Sequence, residues 1–506
     1  MAPVLDTESV LGLQPWVALA YSSIFTIIAF TAYSIIYNLF LSPLSKIPGP
    51  KLWAISGLPY AYMHITGQGH KRVRELHEKY GDAVRVAPRI VVFRDARSWK
   101  QLLGHRKAGT LENLRDPVFF EASGDGVTGP VSTAEHARQR RILSHGFSAQ
   151  SMVDQYPLIR GYVDLLMQRL RENSKGGAVA LDMTRFYNYT TFDIIGDLAF
   201  GEPFGCLDDT KYHPWVSLIF DSIKQRHLMT MVRRNSPALE RLIKCFAKSL
   251  FVGSNSAHEK LVQLKCDKRI ARVEPRPDFM EAMLSIDPKG GEKLSMQQIR
   301  LNASLLIVAG SETTATALSG ATFLLGRHPE ILAKLTQEVR SSFASVQEIT
   351  LLSVQNLKYM LAVLDESLRL FPPVPSSLPR VMRKGGDVLC DVFVPEDTVV
   401  ELWQYPMFRS PKNFTLPDSF IPERWLGDAR FDNDKREAVQ PFSFGPRNCL
   451  GKNLAYAEMR MILARVIFSF DIELAEPQVD WIDSNDVYML WDKNPLMVYL
   501  KPRKEP

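Results

Sequence analysis

No charged residue occurs between Val10 and Ser45, and the stretch Trp16–Leu41, WVALAYSSIFTIIAFTAYSIIYNLFL, is predominantly apolar. A helix of about 20 such residues crosses the hydrocarbon core of a bilayer. The segment therefore commits the chain to a long apolar helix near its start and predicts a membrane span over residues 16–41. A cleaved leader fits less well. Asp6 and Glu8 stand where Lys or Arg is expected, and the apolar run is longer than a leader's. Lys46 and Lys51 follow the span, which by the positive-inside rule places the rest of the chain in the cytosol. Then comes KIPGP, in which Pro48 and Pro50 end any helix and predict a stiff hinge. The expected organisation is an anchor at 1–45 and one large domain at 46–506, with the hinge at 47–50.

Of the 506 residues, 46% are hydrophobic and 23% charged, which is enough apolar material for an ample core. The net charge of +6 comes without a Lys/Arg block or interleaved aromatics, so nucleic acid is not an expected partner. Five widely spaced cysteines are an odd number and argue for a reducing environment rather than a disulfide framework. Helical patterns dominate: VRELHEKY, YPLIRGYVDLLMQRLREN, the run from Ser295 to Arg327, and LAYAEMRMILARVIFSF. AVRVAP, IVVFRD, DVLCDVFVP, TVVELWQ and PLMVYLKP read as short strands. The expectation is a mainly α domain with small β-sheets.

One cysteine has an unusual setting. Cys449 lies in PFSFGPRNCLG, with glycines on both sides and a helical pattern directly after it. Cys390 is the nearest cysteine upstream and no histidine follows His328, so a local zinc cluster is excluded. A helix N-terminus favours a thiolate, and flanking glycines let backbone approach a flat ligand. Thiolate is one of the few axial ligands of haem iron. An inert buried thiol is the plain alternative.

FSFGPRNCLG matches the signature F-x-x-G-x-R-x-C-x-G at Phe442, Gly445, Arg447, Cys449 and Gly451, and on these residues the chain resembles the cytochrome P450 family. The resemblance implies the P450 fold and a haem b whose iron is held axially by Cys449. It implies that Phe442 packs near the sulfur and that Arg447 pairs with a haem propionate. AGSETT, residues 309–314, looks like the family's oxygen-binding groove. In that groove Gly310 lets the helix open, and Glu312 with Thr313 forms the catalytic acid–alcohol pair; the plain alternative is a small-residue contact between helices. In EHARQRR the resemblance gives His136 and Arg140 as further propionate contacts, and in SSLPRV it gives Arg380. Cys390 stands where a glycine is common and reads as an inert buried thiol.

ESLR, residues 366–369, divides the two lines of reasoning. Leu361, Leu364 and Leu368 fall on another helical face, so periodicity makes Glu366 and Arg369 solvated. The resemblance makes them part of a buried charged network completed by Arg424 of PERW.

The match runs from the Pro48 hinge to the C-terminus, and YNYTTFDIIGDLAFGEPFGCL and FRSPKNFTLPDSFIPERW resemble microsomal filamentous-fungal biosynthetic members. That implies an endoplasmic-reticulum monooxygenase acting on a lipophilic small molecule with O2 and electrons from an NADPH-cytochrome P450 reductase. Leu305, Ile307, Val308, Ala309, Val374, Ser377, Leu378, Met489 and Trp491 are the implied pocket. Arg138, Arg141 and Lys452 are candidates for a basic face that docks the reductase. Two other readings stand beside this one: a haem–thiolate enzyme that rearranges, isomerises or couples its substrate without inserting oxygen, and a haem-binding sensor.

Overall fold

The computed structural model describes residues 15–107, 110–246, 248–272, 274–475 and 480–503. The apolar segment forms α1 (Pro15–Ile36) and one π-helical turn at Tyr37–Leu41. Its side chains have no core to enter: Phe25 and Phe30 are 73% and 70% exposed. Leu19–Leu41 has the length and hydropathy of a bilayer span. Asp6, Glu8 and Val10, on which the argument against a leader drew, lie outside the described residues. The proline segment is not a free hinge. The Pro48 carbonyl accepts from Arg85 N at 2.8 Å, and the Arg85 guanidinium reaches back to the Asn38 carbonyl at 2.6 Å and to Asn38 Oδ1 at 2.9 Å. Arg85 is 2% exposed, so a buried charge ties the end of the anchor to the first strand.

Beyond the hinge the helices that matter for the site are α2 (Arg97–Leu103), α3 (Thr133–Ser144), α4 (Ala149–Ser174), α5 (Met183–Phe200), α6 (Met296–Arg327), α7 (Lys358–Leu370) and α8 (Lys452–Ser469). α6 starts on a capping box: Ser295 Oγ accepts from Gln298 N, and the Gln298 side chain accepts from Ser295 N, both at 3.1 Å. From Thr314 to Leu325 every residue of α6 is buried, as is every residue of α5 except Arg185, and the two helices pack together at the centre. Hydroxyls are tolerated there because they bond locally or across the contact. Ser319 Oγ donates to the Ala315 carbonyl at 2.8 Å, and Tyr187 and Thr322 share a bond of 2.8 Å.

The sheets are small and sit around this helical centre. β1 (Ala83–Ala87), β2 (Ile90–Phe93), β4 (Arg380–Val381) and β7 (Val399–Glu401) form one sheet in the order β1-β2-β7-β4. Its β2–β7 pair is parallel and the other two are antiparallel. β3 (Ala180–Asp182), β11 (Met497–Pro502) and β8 (Phe470–Leu474) form a second sheet. β5 (Asp387–Leu389) with β6 (Val392–Val394), and β9 (Asp486–Tyr488) with β10 (Leu490–Asp492), are hairpins. The five strand-like sequences are all strands. β3, β4, β8, β9 and β10 were not expected: β8 follows directly on α8, whose helical pattern runs into its first residue, and the others are two or three residues long and placed by their partners.

Glu366 and Arg369 are fully buried, so helical periodicity misplaced them and the resemblance placed them correctly. Glu366 accepts two 2.8 Å bonds from Arg369, one of 3.0 Å from Arg424 Nε, one of 3.0 Å from Ile421 N and one of 2.9 Å from Trp425 Nε1. Arg424 is paired in turn with Asp434, a member the sequence did not suggest. The arginines outweigh burial and hold the Glu366 carboxyl below its usual range.

Candidate active site

Residues 442–449 fold back on themselves. Cys449 N donates to the Phe442 carbonyl at 2.8 Å, while Ser443 (φ 62°) and Gly445 (φ 76°) supply the left-handed turns. A Cβ at Gly445 would lie 1.9 Å from the Leu103 carbonyl oxygen, so this glycine is fixed by the approach of the loop to the end of α2. At Gly451 a Cβ would meet only Phe147, at 3.6 Å, an ordinary contact. Phe442 packs against Tyr456 with ring centroids 5.1 Å apart. Arg140, projecting from α3, grips the loop through the Asn448 carbonyl at 2.6 Å and Asn448 Oδ1 at 2.5 Å.

Cys449 is an exposed residue of this loop, and its thiol loses part of its hydration to the neighbouring residues. That desolvation pushes the thiol up, against the Gly451 N–H and the charges of Arg140 and Lys452. The thiolate expected from the α8 N-terminus is therefore not secured by the chain alone; a coordinated metal ion deprotonates a thiol outright. Cys390 differs. It is half-buried at φ 47°, which explains the glycine expected there, and burial pushes its thiol up to about 12.

Beside the loop lies a group of buried guanidiniums short of acceptors. Arg380, held by β4, is 3% exposed, and its Nε and Nη1 have no hydrogen-bond partner among the described residues. Arg447 donates to Glu112 at 2.8 and 3.3 Å and to the Val131 carbonyl at 3.1 Å, leaving Nη1 unpaired. Arg115, which pairs by backbone with Arg380, also leaves Nε unpaired. Burial and the neighbouring arginines lower Arg115 strongly and push Arg380 down to about 10. His136 is buried, and burial with Arg447, Arg115 and Arg140 drives it down to about 3, so it is neutral. Glu112 is the carboxylate paired with this group among the described residues. Guanidiniums stripped of water and of counter-charge are costly, and two carboxylates would satisfy them. That is the demand a haem's propionates meet, so the residues fit the group.

On α6 the open positions are Ala309, which is exposed, and Leu305, Val308 and Thr313, which are half-buried. Val374, Leu378 and Met489 are half-buried as well. Ile307, Ser377 and Trp491 are core: Ser377 Oγ accepts from Leu402 N at 2.8 Å, and Trp491 stacks on Phe371 and donates to the Pro372 carbonyl. Gly310 belongs to the plain reading. A Cβ there would lie 2.6 Å from Ile195 Cδ1, so the glycine lets α5 and α6 approach, and the helix stays α-helical through 309–314. Glu312 and Thr313 do not meet. Thr313 Oγ1 donates to the Ala309 carbonyl at 2.6 Å, whereas Glu312 is buried and ion-paired with Lys493. Adjacent helical positions diverge by roughly 100°, so the two side chains leave α6 in different directions. Of the docking candidates, Arg138 is paired with Glu135 and Arg141 with Asp287. Lys452 lies 5.8 Å from the centre of the Phe442 ring.

A glycine-bent cysteine loop set against buried guanidiniums that lack acceptors defines a haem–thiolate protein. Residues 47–499 match the cytochrome P450 family profile. The chain is 45% identical over 489 residues to a trichothecene C-15 hydroxylase of Fusarium sporotrichioides, covering 96% of this chain and 99% of that one. It is 43% identical over 484 residues to the cytochrome P450 monooxygenase astJ of Aspergillus oryzae, covering 95% and 96%. It is 42% identical over 483 residues to an averantin hydroxylase of Dothistroma septosporum, covering 94% and 90%. The chain belongs to the cytochrome P450 family and is a monooxygenase, binding haem through a cysteine thiolate as that family does.

Sequence reasoning missed Arg115, Glu112 and Lys493. None stands in a spaced motif; only the approach of distant segments gives them a place.

Proposed function

We propose that this monooxygenase hydroxylates or epoxidises a lipophilic secondary metabolite from a membrane anchor, using O2 and electrons from an NADPH-cytochrome P450 reductase. The observation that carries this reading is the buried group Arg115, Arg380 and Arg447, whose unpaired donors lie beside the Cys449 loop. In it Cys449 is the iron ligand. Arg380, Arg447, His136 and Arg140 receive the propionates, and Arg140 also holds the loop through Asn448. Phe442, Gly445 and Gly451 shape the loop. The bound haem supplies the redox chemistry. Thr313 is the hydroxyl that manages proton delivery at the open stripe of α6, and Glu312 is its acid, reached through solvent or a side-chain movement. Relatives named as hydroxylases of a trichothecene and of averantin support oxygen insertion into a lipophilic product.

The apolar helix supports an anchor at 1–45 in the endoplasmic reticulum, and Lys46 and Lys51 support a cytosolic catalytic domain at 46–506. The experiment uses full-length protein in membranes with the reductase. Reduced protein with CO should show the red-shifted thiolate band. Cys449→Ala should lose that band and Cys390→Ala keep it. Thr313→Ala should keep it and release more peroxide per NADPH. A normal band in Cys449→Ala overturns the ligand assignment. Unchanged peroxide release in Thr313→Ala favours chemistry without oxygen insertion.

A further inference from the structure

Lys493 follows β10 in the turn that leads to β11, far in sequence from α6. Its side chain is 5% exposed, yet both neighbours, Asp492 and Asn494, are exposed. Its ammonium is ion-paired with Glu312 Oε1 and donates to Thr316 Oγ1 at 2.9 Å, and Thr316 Oγ1 donates to Glu312 Oε1 at 3.2 Å. The turn is fixed by Asn494 N donating to Asn485 Oδ1 at 2.8 Å and Leu496 N to Asp182 Oδ1 at 3.1 Å. Glu312 Oε2 is buried with no hydrogen-bond partner among the described residues.

We propose that Lys493 is the positioning residue for Glu312: it keeps the carboxylate ionised and turned from Thr313 toward the β10–β11 turn, the side from which protons reach α6. A carboxyl buried alone takes up a proton and a lone buried ammonium loses one, and an opposite charge in contact favours the charged form of each. Burial pushes the ammonium down, and Asp182 opposes that from β3. A pair serving packing alone would have both carboxylate oxygens satisfied, whereas this one leaves Oε2 free to bond a hydroxyl or a water. The exposed neighbours of Lys493 put solvent at the base of the side chain that reaches the buried acid.

This inference rests on the assignment of Glu312 and Thr313 to proton handling. The test uses full-length protein with saturating reductase. It measures NADPH oxidation per haem, its solvent deuterium isotope effect and peroxide released per NADPH, with the reduced-CO band reporting intact haem. Positioned proton transfer contributes about 10²–10⁴-fold. Lys493→Met should therefore slow NADPH oxidation per haem at least tenfold and enlarge the isotope effect. Added to Glu312→Gln it should bring little further change, because both act through one group. Lys493→Gln, a shorter side chain that keeps a neutral N–H donor without the charge, should show the same loss and decides the matter if Lys493→Met does not fold. Wild-type rates per haem in Lys493→Gln, or effects of Lys493→Met and Glu312→Gln that simply add, would overturn the proposal. Thr313→Ala separates the two levels. If it leaves peroxide release unchanged, the proton-handling assignment itself falls. If it raises peroxide while the Lys493 variants behave as wild type, only the role of Lys493 falls.

Discussion

Glu366→Gln keeps the shape of a side chain and removes a charge from a fully buried site. The carboxylate takes bonds from Arg369 twice, from Arg424, from Ile421 N and from Trp425. An amide has one acceptor oxygen. If its NH2 replaces Oε2 it faces Arg369 Nε and Trp425 Nε1, and if it replaces Oε1 it faces Arg369, Arg424 and Ile421 N. The charges of Glu366, Arg369, Arg424 and Asp434 cancel, and all four side chains are fully buried. The substitution therefore strands one guanidinium without a counter-charge. Breaking a buried pair from one side costs about 3–5 kcal/mol, against a total stability of about 5–15 kcal/mol. We expect a loss of about 3–5 kcal/mol with most protein recovered without haem. Urea unfolding followed by circular dichroism and by the reduced-CO band on the same samples measures both. A loss under about 1 kcal/mol with full haem content would refute the argument from unpaired buried charge.

Gly445→Ala places a methyl group against the Leu103 carbonyl at a φ of 76°. The left-handed backbone alone costs about 1–2 kcal/mol, so haem content should fall, as the reduced-CO band will report, while Gly451→Ala should be milder. Burial lowers His70 to about 3 and His77, His227 and His258 to about 4, from 6.5. They are neutral in the fold, so stability is full above pH 6.5 and falls toward pH 4 as the unfolded chain alone takes up protons. The slope reaches about 1.4 kcal/mol per pH unit for each histidine, and thermal melts from pH 7.5 to 4.5 measure it. Deleting residues 1–36 or 1–45 should release protein from membranes in both cases. The longer deletion should melt lower, because it strips Arg85 of Asn38; equal melting points would remove that contact from the account.

Local chemistry wrote several features of this protein directly into the chain. A long uncharged apolar run reads as a helix suited to lipid, Pro43 stands just past its end at Leu41, and β-branched runs such as IVVF make strands wherever they dock. The cysteine loop was legible for the same reason: ten consecutive residues carry the turn glycine, the ligand and an arginine. Gly310, Glu366 and Glu312 were decided otherwise. Gly310 is required by Ile195 on another helix, Glu366 is buried because Arg424 from a distant segment joins Arg369 in offsetting its charge, and Glu312 turns toward Lys493, 181 residues away in the chain. The donors of Arg115 and Arg380 likewise converge only when a β-bridge brings their segments together. Periodicity reports which face of a helix is apolar. Whether a charged residue on the other face meets water or a buried counter-charge depends on what the fold packs against it, and that is decided by the tertiary structure.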